Sequence, residues 1–352
     1  MKFRNFLYIL IFIQILFTKE HKSINKDLSN NRSNSVHLIG IMVEFEEDND
    51  SQTSGNGKFL TDKECEDGND CPSLNSNLNY IDYPNKMRCN PSTDFVIDLP
   101  PHNSTYFSLQ LEAVKNYYAN VSNKEISYEM VDNVFQLNHE MSYYATSDDK
   151  IGLLFADAVN MAYENGDIDE NLLLNDVLFV VFHAGLGQEA SQRFDPTIYD
   201  IKSAYVDSDM LDGITNDDSY WINQKGIDSG LVMPETLNWI FYDVVEEIFS
   251  LTFTSEDELE NLLCGQQLGM TGLFAHLLGY HFDFPLMTNE DGRYGIGDFG
   301  LMDQGCFNQQ GVIPADPNPW TSIKSGWKNI QTFDPGEEII KIENINGSIK
   351  KF

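Results

Sequence analysis

The order of apolar and polar positions divides the first half of the chain into strands and helices. Apolar residues dominate from Val36 to Phe45, and β-branched and aromatic residues fill Asp176 to His183, which is typical of strands buried on both faces. Between them, helical spacing runs through Tyr106 to Ala119 and through Ile151 to Tyr163, and Ser127 to Leu137 alternates as a strand does. This order predicts a mixed sheet with helices packed against it.

Two further helices are predicted in the second half of the chain. Ser255 and Glu258 have the spacing of a capping box, which predicts the start of one helix. The other is predicted to begin near Met270 and to end around Asp283, because Pro285 disfavours helical backbone in the residue before it. Glycine- and proline-rich loops follow this second helix.

The N-terminal residues have the pattern of a secretory signal peptide. Lys2 and Arg4 precede an apolar run from Phe6 to Phe17, which is shorter than the about 20 residues of a membrane helix. We therefore expect a secreted or cell-surface protein with no membrane association after signal removal. The predicted divisions are a signal peptide over 1–18, a polar linker over 19–35, an N-terminal lobe over 36–254 with a surface insertion over 46–79, a motif helix and C-terminal lobe over 255–335, and a tail over 336–352.

Charge and cysteine content narrow the class of protein. The 352 residues include 22 Lys and Arg against 55 Asp and Glu, a formal net charge of −33. Such a charge repels nucleic acid, so we exclude a nucleic-acid partner. The odd number of cysteines leaves at least one thiol unpaired in a monomer, and neither their connectivity nor the oligomeric state follows from the sequence. The five are Cys65, Cys71, Cys89, Cys264 and Cys306.

The helix that begins near Met270 carries part of a zinc-protease motif. In His-Glu-x-x-His, two histidines on one helical face bind one zinc ion, and the glutamate activates the bound water. The corresponding stretch here is HLLGY, with His276 first, Leu277 second and Tyr280 last. The first histidine is therefore kept, whereas the general base and the second ligand are replaced.

The residues around this helix resemble the immune-inhibitor-A-like (M6-type) family of secreted zinc metalloproteases, which are zincins. The chain has GLFAHLLGYHFDFPL and then GIGDFGLMDQG, similar to the family's G-x-x-A-H-E-x-G-H-x-x-G-L-P-D and G-x-G-x-x-x-L-M-x-x-G. Further similar stretches, among them HEMSYYA and DVLFVVFHAGLGQEA, extend the resemblance over about Val36 to Trp327. It implies an α+β, zincin-like metalloprotease fold, with a larger N-terminal lobe holding a mixed sheet and a smaller C-terminal lobe around a cleft.

The same resemblance marks the positions of a relic zinc site. His276 matches the first zinc ligand, Leu277 the general base, Tyr280 the second ligand and Leu286 the acidic third ligand. Met302 matches the methionine at the floor of the cleft. A leucine cannot accept a proton, and a neutral phenol is a poor zinc ligand. We therefore assign no catalytic residue, and His276 is a metal ligand only if zinc is bound at all.

These residues favour a pseudoprotease: a secreted metalloprotease-like protein that keeps a cleft for a peptide or protein ligand, hydrolyses nothing and needs no cofactor. One alternative is an active zinc metalloendopeptidase with a rearranged metal site, drawing on His281, Asp283, Glu290 and Asp291. Another is a structural or adhesive exoprotein whose cleft is filled by Leu277, Tyr280 and Leu286.

Two other groups of polar residues have competing interpretations. An aspartate cluster is a candidate calcium site, because calcium takes six to eight oxygen ligands, but solvated loop charge gives the same pattern. We assign His183, which ends a buried strand, a structural role. The aspartates are Asp207, Asp209, Asp212, Asp217 and Asp218.

Overall fold

The structure is a computed structural model that describes residues 35–47, 50–61, 97–122, 124–169, 171, 176–190, 197–215, 220–222, 225–238, 267–288, 295–328, 342–343 and 349–350. Several predictions concern residues outside these ranges. They are the signal peptide, the capping box at Ser255, the remaining candidate ligands Asp217, Asp218, Glu290 and Asp291, and all cysteines except Cys306.

A five-stranded sheet forms the centre of the fold. Its strands are β1 (Ser35–Glu44), β2 (Glu125–Gln136), β3 (Val177–Leu186), β4 (Ala204–Val206) and β7 (Gly230–Thr236). They lie in the order β2-β1-β3-β7-β4, with the first four parallel and β4 antiparallel to β7 at the edge. The predicted mixed sheet is therefore confirmed. Outside this sheet, β5 (Tyr220–Ile222) pairs with β6 (Lys225–Ile227), and β8 (Ile342–Glu343) pairs with β9 (Ile349–Lys350).

Six α-helices occur in the described part of the chain. They are α1 (Ser104–Val121), α2 (Met141–Tyr144), α3 (Asp148–Glu164), α4 (Ser208–Thr215), α5 (Met270–His281) and α6 (Pro319–Lys324). The helices predicted from Tyr106, Ile151 and Met270 correspond to α1, α3 and α5. The first two begin earlier than predicted, because the side chains of Asn103 and Ser147 accept hydrogen bonds from backbone N–H groups of the first turn.

Helices cover both faces of the sheet. Phe182 of β3 points towards one face, with ring centroids 4.6 Å from Phe107 of α1 and 6.1 Å from Phe274 of α5. On the opposite face, a Cβ added to Gly230 of β7 would lie 2.0 Å from the ring of Phe155 in α3. The motif helix α5 therefore packs beside α1 on one face of the sheet, and α3 packs on the other.

Part of the segment that is predicted as a surface insertion over 46–79 lies in the interior of the protein. Phe59 and Leu60 are part of the hydrophobic core. The Ser54 N–H donates to the carboxylate of Asp200 at 2.7 Å, and the Leu60 N–H donates to Glu235 at 2.7 Å. The polar, glycine-rich composition is typical of a solvated loop, but carboxylates from distant segments satisfy this backbone inside the protein.

Candidate functional site

The motif helix α5 is packed tightly against the segment that follows it. A Cβ added to Gly272 would lie 1.8 Å from the Cys306 carbonyl oxygen, and one added to Gly279 would lie 2.7 Å from Met302 Sδ. On its other side, the Tyr118 hydroxyl of α1 donates to the Ala275 carbonyl at 2.6 Å. Met302 therefore lies directly against the motif helix, where the sequence resemblance puts the floor of a cleft.

His276 and Tyr280 lie on the same face of α5 and contact each other. His276 Nδ1 is 3.0 Å from the Leu301 carbonyl oxygen, and Nε2 is 3.2 Å from the Tyr280 hydroxyl. A carbonyl oxygen only accepts, so Nδ1 carries the proton, and Nε2 of the neutral ring accepts from the tyrosine. The lone pair that a metal would need is thereby engaged by a phenol from the same helix.

The surroundings of Tyr280 keep its hydroxyl protonated. Part of the ring is exposed, but the hydroxyl is removed from water, and this burial raises the pKa of Tyr280 above its usual range. The nearby thiol of Cys306, which is buried and unpaired, raises this pKa further. A phenol that stays protonated donates to His276 and cannot serve as a charged metal ligand.

The residues at the relic positions do not fit a zinc ion. A catalytic zinc site needs three protein ligands around one open position. His276 is only 2% exposed, and Leu277 beside it is 7% exposed and supplies no lone pair. Leu286 is partly exposed and also supplies none. His281, considered for a rearranged site, is buried with its ring 5.5 Å from Phe282. Among the residues that the structure describes, no three His, Cys, Asp or Glu side chains are placed to hold a metal.

Three of the aspartates considered for calcium lie in the described part of the chain, at the start of α4 and along it. Asp207 Oδ1 accepts from the Met210 N–H at 3.1 Å, so this side chain caps the start of α4. Asp209 and Asp212 are exposed on that helix.

His183 is buried in the sheet, in agreement with a structural role. Its Nδ1 donates to the Ala184 carbonyl at 2.9 Å, and its Nε2 is buried without a hydrogen-bond partner among the described residues. Burial lowers the pKa of His183 to about 4, so the ring is neutral near pH 7.

A buried network that no sequence motif predicts lies at the start of the motif helix. The carboxylate of Glu235, at the end of β7, lies 2.7 Å from His102 Nδ1 and also accepts from the Gly185 N–H at 2.9 Å. Asp98 Oδ2 accepts from the Met270 N–H at 3.1 Å and thereby caps α5 from 172 residues away. A glutamate within the apolar strand sequence GLVMPET was the one local signal.

A second buried carboxylate fixes the turn that carries Met302. Asp303 Oδ2 accepts from the three successive N–H groups of residues 295–297 at 2.8–2.9 Å, and Oδ1 accepts from the Gln304 N–H at 2.8 Å. Four donors on one carboxylate hold the methionine turn against α5. The sequence showed Asp303 only as part of the LMDQG stretch.

The edge strand β4 lies beside the relic site. The ring of Tyr205 is 6.1 Å from the ring of Tyr280, with both side chains partly exposed.

No described helix is long and apolar enough to cross a membrane. No protein-family model matches this chain, and no curated protein sequence matches it significantly.

Proposed function

We propose that this chain is a secreted, zincin-like pseudoprotease of the immune-inhibitor-A-like type, which binds a peptide or protein segment in a cleft beside α5 without hydrolysing it. The observation that carries the proposal is the hydrogen bond from the Tyr280 hydroxyl to His276 Nε2. It joins the two positions where the sequence resemblance expects a pair of zinc ligands.

The arrangement of the sheet and the motif helix supports the fold part of the proposal. The mostly parallel sheet ends in the antiparallel strand β4. Helix α5 lies at that edge, and Met302 packs against α5. These are the parts that a zincin-like cleft requires: a rim, a motif helix and a methionine floor.

The chemistry at α5 supports loss of hydrolysis. Peptide hydrolysis by a zincin needs a metal-bound water and a base to take its proton. Leu277 stands at the base position, and the ring nitrogen of His276 that would face a metal is already bonded to Tyr280. Neither the nucleophile nor its activation is available from these side chains.

The edge strand supports a binding role. β4 ends the sheet on one side, and a strand at an edge is a template for an extended peptide. Tyr205 of β4 and Tyr280 beside it are partly exposed and offer aromatic contact to peptide side chains. Leu286, which is also partly exposed after α5, offers apolar contact. We therefore place the ligand along β4, above α5.

Binding and turnover of fluorescein-labelled β-casein test the proposal. We expect the purified protein to bind the probe in fluorescence anisotropy and to leave it intact on gels. Leu286→Glu places a charge in the cleft and should weaken binding, whereas Leu109→Glu on the exposed face of α1 should not. We also expect fewer than about 0.2 zinc per chain after a mild chelator, since three ligands are required.

Two outcomes would replace this proposal. Casein cleavage together with stoichiometric zinc that is lost in His276→Ala would establish the active metalloendopeptidase. Failure to bind casein would favour the structural exoprotein with a filled cleft, which the burial of His276 and Leu277 also supports.

A further inference from the structure

A buried carboxyl group connects the end of β3 to the beginning of the edge strand. Glu189 lies in the short 3-10 turn Gln188–Ala190 that follows β3. Its Oε1 accepts from the Ser203 N–H at 2.6 Å, and Ser203 immediately precedes β4. Within the described residues, Glu189 Oε2 and the Ser203 hydroxyl are both buried without a hydrogen-bond partner. Two unsatisfied polar atoms therefore belong to residues that are already bonded to each other.

The second carboxyl oxygen lies in an apolar enclosure. A Cβ added to Gly187 would lie 2.7 Å from Glu189 Oε2, 2.8 Å from Pro234 Cγ and 2.9 Å from Leu237 Cδ2, so these atoms crowd one point. An ionised oxygen held there without a donor is costly. A protonated carboxyl places no charge in this enclosure, while Oε1 still accepts from the Ser203 N–H.

The charged groups around Glu189 do not offset its burial. Lys202, from the segment before β4, is the cation that acts on Glu189, but its Nζ is 2.5 Å from Asp148 of α3. Around Gly187, the nearest atoms from β7 and the residue after it are the apolar Pro234 Cγ and Leu237 Cδ2. Burial raises the pKa of Glu189 to about 7, although hydrogen bonds from backbone N–H groups and the charge of Lys202 act to lower it.

We propose that Glu189 is a proton-operated latch that fixes the start of edge strand β4 and thereby regulates the peptide cleft. In the protonated state the carboxyl stays in the enclosure, holds the Ser203 N–H and keeps the rim beside α5. When the proton leaves to solvent, the carboxylate moves out of the enclosure towards water, the bond to the Ser203 N–H breaks and β4 loosens. The link to peptide binding rests on the proposed function, whereas the latch itself does not.

The direction of the pH effect follows from the sign of the shift. The folded state holds the Glu189 proton more tightly than the unfolded chain, whose glutamate has a pKa of 4.5. The stabilisation is therefore fully present below about pH 4.5 and is lost as the pH rises through about 7. The rim strand is latched in mildly acidic solution and released in mildly alkaline solution.

Hydrogen exchange of the full-length protein between pH 6 and 8 tests the latch. After correction for intrinsic exchange rates, we expect protection of Ala204, Tyr205 and Val206 to fall about tenfold over this range, as for a structure coupled to one ionisation. Glu189→Gln keeps a carbonyl oxygen for the Ser203 N–H and cannot ionise, so its protection should not depend on pH. Glu112→Gln, an exposed glutamate of α1, is the matched control and should behave as the wild type.

Ser203→Ala provides an independent variant, because it keeps the backbone N–H that donates to Glu189 and should show the same pH-dependent loss of protection as the wild type. Unchanged wild-type protection between pH 6 and 8, or the same pH-dependent loss in Glu189→Gln, would overturn the latch. Binding of labelled β-casein is measured in parallel at both pH values. A working latch without casein binding at either pH would refute the proposed function alone, and casein binding without the exchange response would refute the latch alone.

Discussion

Replacing Glu235 by glutamine should destabilise the protein strongly, although the two side chains have nearly the same shape. Both carboxylate oxygens of Glu235 accept hydrogen bonds: one from Leu60 N–H, with His102 Nδ1 beside it, and the other from Gly185 N–H. A glutamine has only one oxygen. Its amide group must therefore face at least one donor, whichever way it is turned.

The magnitude follows from the burial of this network. His102 and Glu235 are both 0% exposed, and His102 Nε2 lies 2.9 Å from the Asp98 carbonyl oxygen. Whichever way the glutamine amide is turned, at least one buried donor that faces Glu235 loses its acceptor. A buried donor left unsatisfied costs about 1–3 kcal/mol, and we expect Glu235→Gln to lie in the upper part of this range because three groups lie within hydrogen-bond distance of the carboxylate.

Equilibrium unfolding in urea, followed by circular dichroism and tryptophan fluorescence, measures this cost if the two signals coincide. Glu112→Gln makes the same chemical change at an exposed position of α1 and should alter the free energy of unfolding by less than about 0.5 kcal/mol. A Glu235→Gln protein within about 1 kcal/mol of the wild type would refute the reasoning, because it would mean that the substitution leaves no buried donor unsatisfied.

Three further outcomes are expected. The Leu277→Glu protein should not cleave casein, because a general base acts only on a metal-bound water. When Tyr280→His and Leu286→Asp are added, elemental analysis should show stoichiometric zinc. Zinc binding by the Leu277→Glu protein alone would contradict this expectation. The pKa of His183 is about 4 in the folded protein and 6.5 for an ordinary histidine, so the unfolded chain takes up the proton first. The folded state therefore becomes less stable as the pH falls from about 6.5 towards 4. His183→Leu should therefore lose less stability between pH 7 and pH 4.5 in urea unfolding. Asp98→Ala removes the carboxylate that accepts from the Met270 N–H and should lower the free energy of unfolding by about 1–2 kcal/mol in the same assay. An unchanged free energy of unfolding would contradict the capping role.

Local periodicity determined much of the architecture. The apolar run at Val36 and the β-branched run before His183 became central strands of the sheet, and the helical spacing from Ile151 became α3. The pairing of His276 with Tyr280 on one helical face was also foreseeable, since residues four apart are neighbours on a helix. Each of these features depends on residues close in sequence, so a short window of sequence contains the necessary information.

Tertiary contacts alone decided which polar groups are buried and what they bind. Residues 50–61 have a loop-like composition, yet the Leu60 N–H donates a hydrogen bond to Glu235, which lies 175 positions away in the sequence. No pattern around Glu189 indicates that its second oxygen lies beside Gly187, or that its first accepts from the Ser203 N–H.

The same division applies to the relic site. The sequence by itself determined that a glutamate and a second histidine are absent beside His276, which is a matter of residue identity. Only the folded chain decided that the Leu301 carbonyl fixes the proton on Nδ1 and that Nε2 is thereby turned to the Tyr280 hydroxyl. The physical reason is that a hydrogen bond depends on distance and direction within a few tenths of an ångström, and those are set by the packing of distant segments rather than by their order in the chain.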